Sequence, residues 1–206
     1  MVERMNFLFV GVGGQGILTA SDIVAQTGLD LGLDAKKSEV HGFAQRGGVV
    51  ESHVRWAPMV SAPTSEQGTV DVLMAFELLE AARWIDWLRP GGIVIVNRQK
   101  IAPMSVSVGD AIYPKEIDIL AALKERASKV VVVDALPLAE QAGNTRTVNT
   151  VMLAALSALL ETPAEVWEQA ILKRVPSKYA DVNKAAFKLG WEAATADTDF
   201  SQIARR

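Results

Sequence analysis

The stretch SEVHGFAQRGG, residues 38–48, gathers His41, Gln45, Arg46, Gly47 and Gly48 between two segments that read as strands. A guanidinium followed by two residues without side chains places a bidentate donor beside open backbone amides, a good arrangement for a carboxylate or a phosphate. His41 can donate to the same anion or carry a proton near neutral pH. The surrounding charges, Lys36, Lys37, Arg46 and Arg55 against Glu39 and Glu51, make this segment locally positive on a chain of net charge -3. Each residue also has a purely structural use. Arg46 can pair with Glu39 or Glu51, His41 can satisfy a backbone carbonyl, and His53 sits inside a strand.

A second set lies upstream. Gly11, Gly13 and Gly16 fit G-x-G-x-x-G between a predicted strand and a predicted helix, the context that gives the pattern meaning. Glycines there allow a tight turn, close approach of a pyrophosphate or another backbone, and helix amides that point at an anion. Glu39 would then be the acid for a ribose. Gly14 and Gln15 add an oddity, since GGQG puts a neutral amide where a small or apolar residue is usual. A dinucleotide site and simple strand–helix packing both remain open. Farther on, Asn144 and Asn149 flank the start of an apolar run, where asparagine caps helix ends or meets a ligand.

The elements that must position these groups alternate. NFLFVGV, residues 6–12, reads as a strand covered on both faces, and ILTASDIVAQTGLDLG as a helix ending at Gly28 or Gly32. DAKKSEV and VVESHVRW read as short strands. The residues between them are too few for a crossover, so the pair is predicted antiparallel. In a dinucleotide fold the second strand would feed a helix instead.

A loop over 57–68 precedes a strand (70–76), a helix over LLEAARWIDWL, a break at RPGG and the strand IVIVN. A further loop and strand lead to the helix KEIDILAALKERAS, then the strand KVVVVDA, then helices to the end. This predicts an α/β fold, a three-layer α/β/α sandwich with a mostly parallel, mixed sheet and C-terminal helices. One domain over residues 1–206 is expected, with its helical region about 136–206.

Composition narrows the chemistry. The 206 residues are half apolar, enough for a full core. A net charge of -3 gives no basic stripe, which argues against nucleic acid. Without cysteine the chain cannot supply thiolates to an iron–sulfur cluster. His41 and His53 lack the spacing of a helical metal pair, so no metal is expected. The opening apolar run ends in glycines, and VMLAALSALL is too short to span a bilayer. No membrane partner and a cytoplasmic location are expected.

The run GVGGQGILTASDIVAQTGLDLGLDAKKSEVHGFAQRGGVVESHVR resembles the gamma-type domain of the 2-oxoacid:ferredoxin oxidoreductases. SEVHGFAQRGG looks most like the indolepyruvate oxidoreductase beta-subunit branch, and GNTRTVNTVMLAALSALL is similar to a second family stretch, an Asn followed by a long apolar helix. The resemblance implies a subunit of an enzyme that oxidatively decarboxylates a 2-oxoacid, such as indolepyruvate or another arylpyruvate, to an acyl-CoA. It implies a large partner subunit bearing thiamine diphosphate and iron–sulfur clusters, with ferredoxin downstream. No cofactor tightly bound to this chain is implied. Its gamma domain would help enclose CoA, with contacts expected at Gly11, Gly13, Gly14, Gln15, Gly16, Ser38, Arg46, Gly47, Gly48, Asn144 and Asn149, and with His41 and Arg46 as catalytic candidates. The rivals are a stand-alone NAD(P)-dependent dehydrogenase and a non-catalytic module for CoA or another nucleotide.

Two helices carry aromatics off their core stripes. On a wheel for 78–88, Trp87 points away from Leu78, Ala82, Ile85 and Leu88. In VNKAAFKLGWEAA, Phe187 and Trp191 lie opposite Val182, Ala186, Leu189 and Ala193. Exposed rings at these places would mark an interface; cover by loops or by the C-terminal tail is the alternative.

Overall fold

A computed structural model describes residues 4–41, 48–160 and 162–196. The apolar run after the first residues forms β1 (Met5–Val12), and the glycine turn leads into α1 (Ile17–Asp30). β2 (Asp34–His41) and β3 (Val49–Ala57) follow, then β4 (Val70–Ala75), α2 (Leu78–Arg83) and β5 (Leu88–Asn97). The remainder is α3 (Met104–Ser107), α4 (Glu116–Arg126), β6 (Lys129–Val133), α5 (Ala135–Gln141), α6 (Val148–Leu159), α7 (Ala164–Arg174) and α8 (Ala180–Ala196).

The sheet has six strands in the order β2-β3-β1-β4-β5-β6. β1, β4, β5 and β6 run parallel, while β3 is antiparallel to both β1 and β2. The expected hairpin-like return is therefore real, with Ser38 opposite His53 and His41 opposite Val50. β2 pairs antiparallel with the next described strand, β3, instead of crossing over to a parallel one, so the second half of a dinucleotide-binding unit is not built here.

Alternation along β1 divides the core in two. Phe7 and Phe9 face a layer that includes α1, α5, α6, α7 and α8, whereas Leu8 and Val10 face α2 and α4. The first layer is centred on Trp56, fully buried and edge-on to Phe7 at 4.6 Å. Its indole N–H donates to the Val24 carbonyl at 3.0 Å. Outer ion pairs, Arg174 to Asp22 and Lys173 to Asp30, each at 2.9 Å, seat α7 on α1.

Three expectations need correction. The helix read over 78–88 ends at Arg83, and 85–87 form a single 3-10 turn, so one wheel does not apply across the segment. Trp87 is half-buried, its ring 5.6 Å from Trp84 and 5.2 Å from His53. On α8 the buried face is Asn183, Ala186, Phe187, Gly190 and Ala194, so Phe187 is core and Trp191 alone of the two rings is exposed. Between β5 and α4 the described residues contain the short helix α3 and no strand.

Candidate functional site

The parallel strands β1, β4, β5 and β6 all end at one rim, and α1 and α2 leave β1 and β4 towards opposite faces of the sheet. In open α/β sheets such a divergence leaves a crevice at the strands' carboxyl ends. The glycine turn forms one wall of it.

The glycines there differ in purpose. A Cβ on Gly11 would lie 2.7 Å from the Gln15 side-chain oxygen, 2.9 Å from Ile17 and 3.0 Å from Phe76, so this position is required by packing. Gly14 has a φ of 101° and would meet nothing within 4 Å, leaving its backbone open to a ligand. Gly16, at φ 79°, is the N-cap of α1 and supplies no side chain to its first amides. A Cβ there would come 3.2 Å from the Asn149 amide nitrogen, so α6 closes on the turn from the other side. Gly13 donates its N–H to the Gly48 carbonyl at 2.9 Å. The two glycine-bearing bends are thus joined directly.

Gln15 is turned inward. Its Oε1 accepts from the Val12 N–H at 2.7 Å, while its Nε2 donates to the Phe76 carbonyl at 2.7 Å and to Gln99 Oε1 at 3.0 Å. Asn97 donates to the same two oxygens and accepts from the Ala135 N–H at 3.2 Å. These three amides bind the carboxyl ends of β1, β4 and β5 to the start of α5. Asn97 and Gln99 escaped the sequence reading. Their signal is the abrupt change from IVIV to NRQ at a strand end.

Two clefts flank the turn. One, of about 380 Å³, runs along Gly13, Gly14 and the first turn of α1 to Val50. The other, of about 370 Å³, lies between Gly14, Gly16, Gln99, Leu136, Arg146 and Asn149. Asn144 accepts from the Arg146 N–H at 3.0 Å and caps the 3-10 turn Thr145–Thr147, as its residue type predicts. Asn149 accepts from the Thr150 N–H at 3.0 Å. Arg146, also missed from sequence, has no carboxylate partner among the described residues, which suits a guanidinium waiting for an anion. Its signal was a cation inside the asparagine motif.

Other candidates are not gathered here. Ser38 faces His53 in mid-sheet, level with Leu8 rather than with the rim at Val12. His41 is level with Gly11 in backbone register, but its side chain lies outside the described atoms. Arg46 and Gly47 lie outside the described residues. Glu39 pairs with Lys37, which also holds Asp22. Burial would lower the Lys37 pKa, yet these two carboxylates outweigh it and raise it. Glu51, next to Val10, is pushed up by burial. His53 is buried and held below its ordinary value for the same reason, with its Nδ1 accepting from the Ser65 N–H.

The family model for pyruvate ferredoxin/flavodoxin oxidoreductase matches residues 6–193. The chain belongs to that family. Indolepyruvate oxidoreductase subunit IorB of Archaeoglobus fulgidus is 40% identical over 193 residues, 93% of this chain and 96% of the relative. The gamma subunit of a keto/oxoacid ferredoxin oxidoreductase from Geobacter sulfurreducens superposes with a TM-score of 0.69 at 26% identity, covering 93% of this chain and 99% of that one. The fold recurs in a 2-oxoglutarate:ferredoxin oxidoreductase from Magnetococcus marinus, with a TM-score of 0.72 at 20% identity, where it accounts for 32% of the longer chain. As a family member this chain is unsuited to hold an iron–sulfur cluster itself, since it has no cysteine. Among the described residues no helix is long and apolar enough to cross a membrane.

Proposed function

We propose that this chain is the gamma-type subunit of a cytoplasmic 2-oxoacid:ferredoxin oxidoreductase that converts an arylpyruvate, most naturally indolepyruvate, to its acyl-CoA. Residues 1–206 act as one gamma-type unit. Thiamine diphosphate and iron–sulfur clusters reside on a larger partner subunit, which passes electrons to ferredoxin. Thiamine diphosphate supplies the carbanion chemistry of decarboxylation there.

The convergence of Gly14, the uncapped start of α1, Arg146 and Asn149 on one rim carries the reading for this chain's own part. An anionic ligand needs amide donors, a cation and room for close approach, and those residues offer all three. CoA, with its phosphates, is the reactant of that description. Gly13 meets Gly48 main chain to main chain, which supports a shared role for the stretch before β3, in which Arg46, Gly47 and His41 serve the same anion. Gln15 serves by shaping the turn, Gly11 by packing, Asn144 by fixing Arg146, and Ser38 by its place in the strand.

Reconstitution tests this. The chain alone should show no turnover with indolepyruvate, CoA and methyl viologen, and should gain it when mixed with the large thiamine-binding subunit. Arg146→Ala in the complex should raise KM for CoA by about tenfold or more, a lost charged hydrogen bond, with little change in KM for the oxoacid. Turnover by the isolated chain would overturn the assignment.

A further inference from the structure

Residues 102–112, APMSVSVGDAI, carry one charged side chain, Asp110, and no Lys or Arg. Despite that composition they stand in solvent. Met104 is 76% exposed, Val108 60% and Ile112 92%. The segment is nonetheless folded on itself, since Asp110 and Ala111 both donate N–H groups to the Ser105 carbonyl at 2.8 and 3.0 Å.

It is also clamped at its base. Glu77, 1% exposed, accepts from the Ile101 N–H at 3.0 Å and from the Tyr113 hydroxyl through the same oxygen. The Tyr113 oxygen accepts in turn from the Leu79 N–H at 3.2 Å. One buried carboxylate thus grips both feet of an arm. An apolar tip held ready in this way forfeits little entropy on binding and gains by leaving water.

The geometry points to this arm as the docking element for the larger, thiamine-bearing subunit, through an apolar protein face. It rests on the function proposed above and extends it. The arm springs from the carboxyl end of β5, the rim that bears the glycine turn, and Gln99 just before it is hydrogen-bonded to Gln15 inside that turn. A body that covers the rim therefore meets the arm too. The absence of a cation in the arm disfavours an anionic membrane or a nucleic acid as occupant.

The test is affinity between this chain and the purified large subunit, measured by calorimetry beside the melting temperature of each variant. Met104→Asp combined with Ile112→Asp alters only exposed positions and should weaken the complex by about thirtyfold or more while leaving melting unchanged. Met59→Asp, 79% exposed beyond the far end of β3, should bind as the wild type does. Tyr113→Phe, which loosens one foot, should give an intermediate loss. Equal binding by the double variant and the wild type sinks the arm and leaves the proposed function standing. No binding by the wild type itself sinks both. If the double variant instead dissolves a dimer of this chain and still binds the large subunit, the occupant has been misassigned.

Discussion

Gly11, near the end of β1, and Gly14, in the turn that follows, sit three positions apart and answer different demands. Gly11→Ala drives a methyl into Gln15, Ile17 and Phe76 and should cost about 1–3 kcal/mol of stability. Gly14→Ala meets open space but forces a side chain into left-handed backbone, at about 1–2 kcal/mol. Thermal melts should show a lowered midpoint for both variants, while titration with CoA in the complex should separate them, with Gly14→Ala losing affinity and Gly11→Ala keeping it. His53 makes a prediction about acid. Its folded pKa lies below the unfolded value of about 6.5, so the unfolded chain takes up the proton first and stability falls as pH drops below that value. Urea unfolding at pH 7.5 and 5.5 should show this loss, and His53→Gln should reduce it; an undiminished loss in that variant removes His53 as the cause. From sequence, the glycine pattern was legible as a turn, but whether each glycine served packing or a ligand was not. That distinction depends on Phe76 and Asn149, which come from remote parts of the chain.

The elements explain where reading by period succeeded. β1, α1 and the β2–β3 return follow from uniform local patterns, and their ends are marked by glycine or by a change to polar residues. The wheel over 78–88 failed because it presumed one helix. Trp84, Trp87 and His53 instead pack together across a 3-10 turn, and β5 starts at Leu88 with a shift in register against β4 between Val70 and Val72. α8 failed differently. Its core stripe includes Asn183, which accepts the Thr150 hydroxyl at 2.6 Å, and Gly190, neither of which a hydropathy stripe selects. At Gly190 a Cβ would stand 2.4 Å from the Val151 carbonyl oxygen. Gly190→Ala should therefore push α8 off α6 and cost about 1–3 kcal/mol, visible as a lowered midpoint in urea, whereas Lys188→Ala on the exposed side should leave it within experimental scatter.

Over the whole molecule, two apolar layers grip one sheet from either side, so protection should be greatest where both meet. Among the described residues amide exchange should be slowest along β1 and β4 and faster in the exposed arm over 102–112, where the Asp110 and Ala111 amides, held by the Ser105 carbonyl, should still be retarded relative to an unfolded chain. Exchange of those two amides at the rate of an unfolded chain would contradict the arm's description as ordered before docking. The layered architecture could be inferred from alternating strands and helices, and so could the approach of the two glycine-bearing stretches at one rim, where Gly13 meets Gly48; the wall that Gln99 and Arg146 add there could not, because it depends on which elements are neighbours. The tie between Gly13 and Gly48 has a last corollary. It runs from main chain to main chain, so ordinary side-chain replacement removes neither partner, whereas a proline at 13 would remove the donor. Diversification of the side chains along the adjoining cleft, such as Thr19 and Val50, is thereby uncoupled from the placement of the turn, which lets the mouth acquire new preferences without its frame being rebuilt.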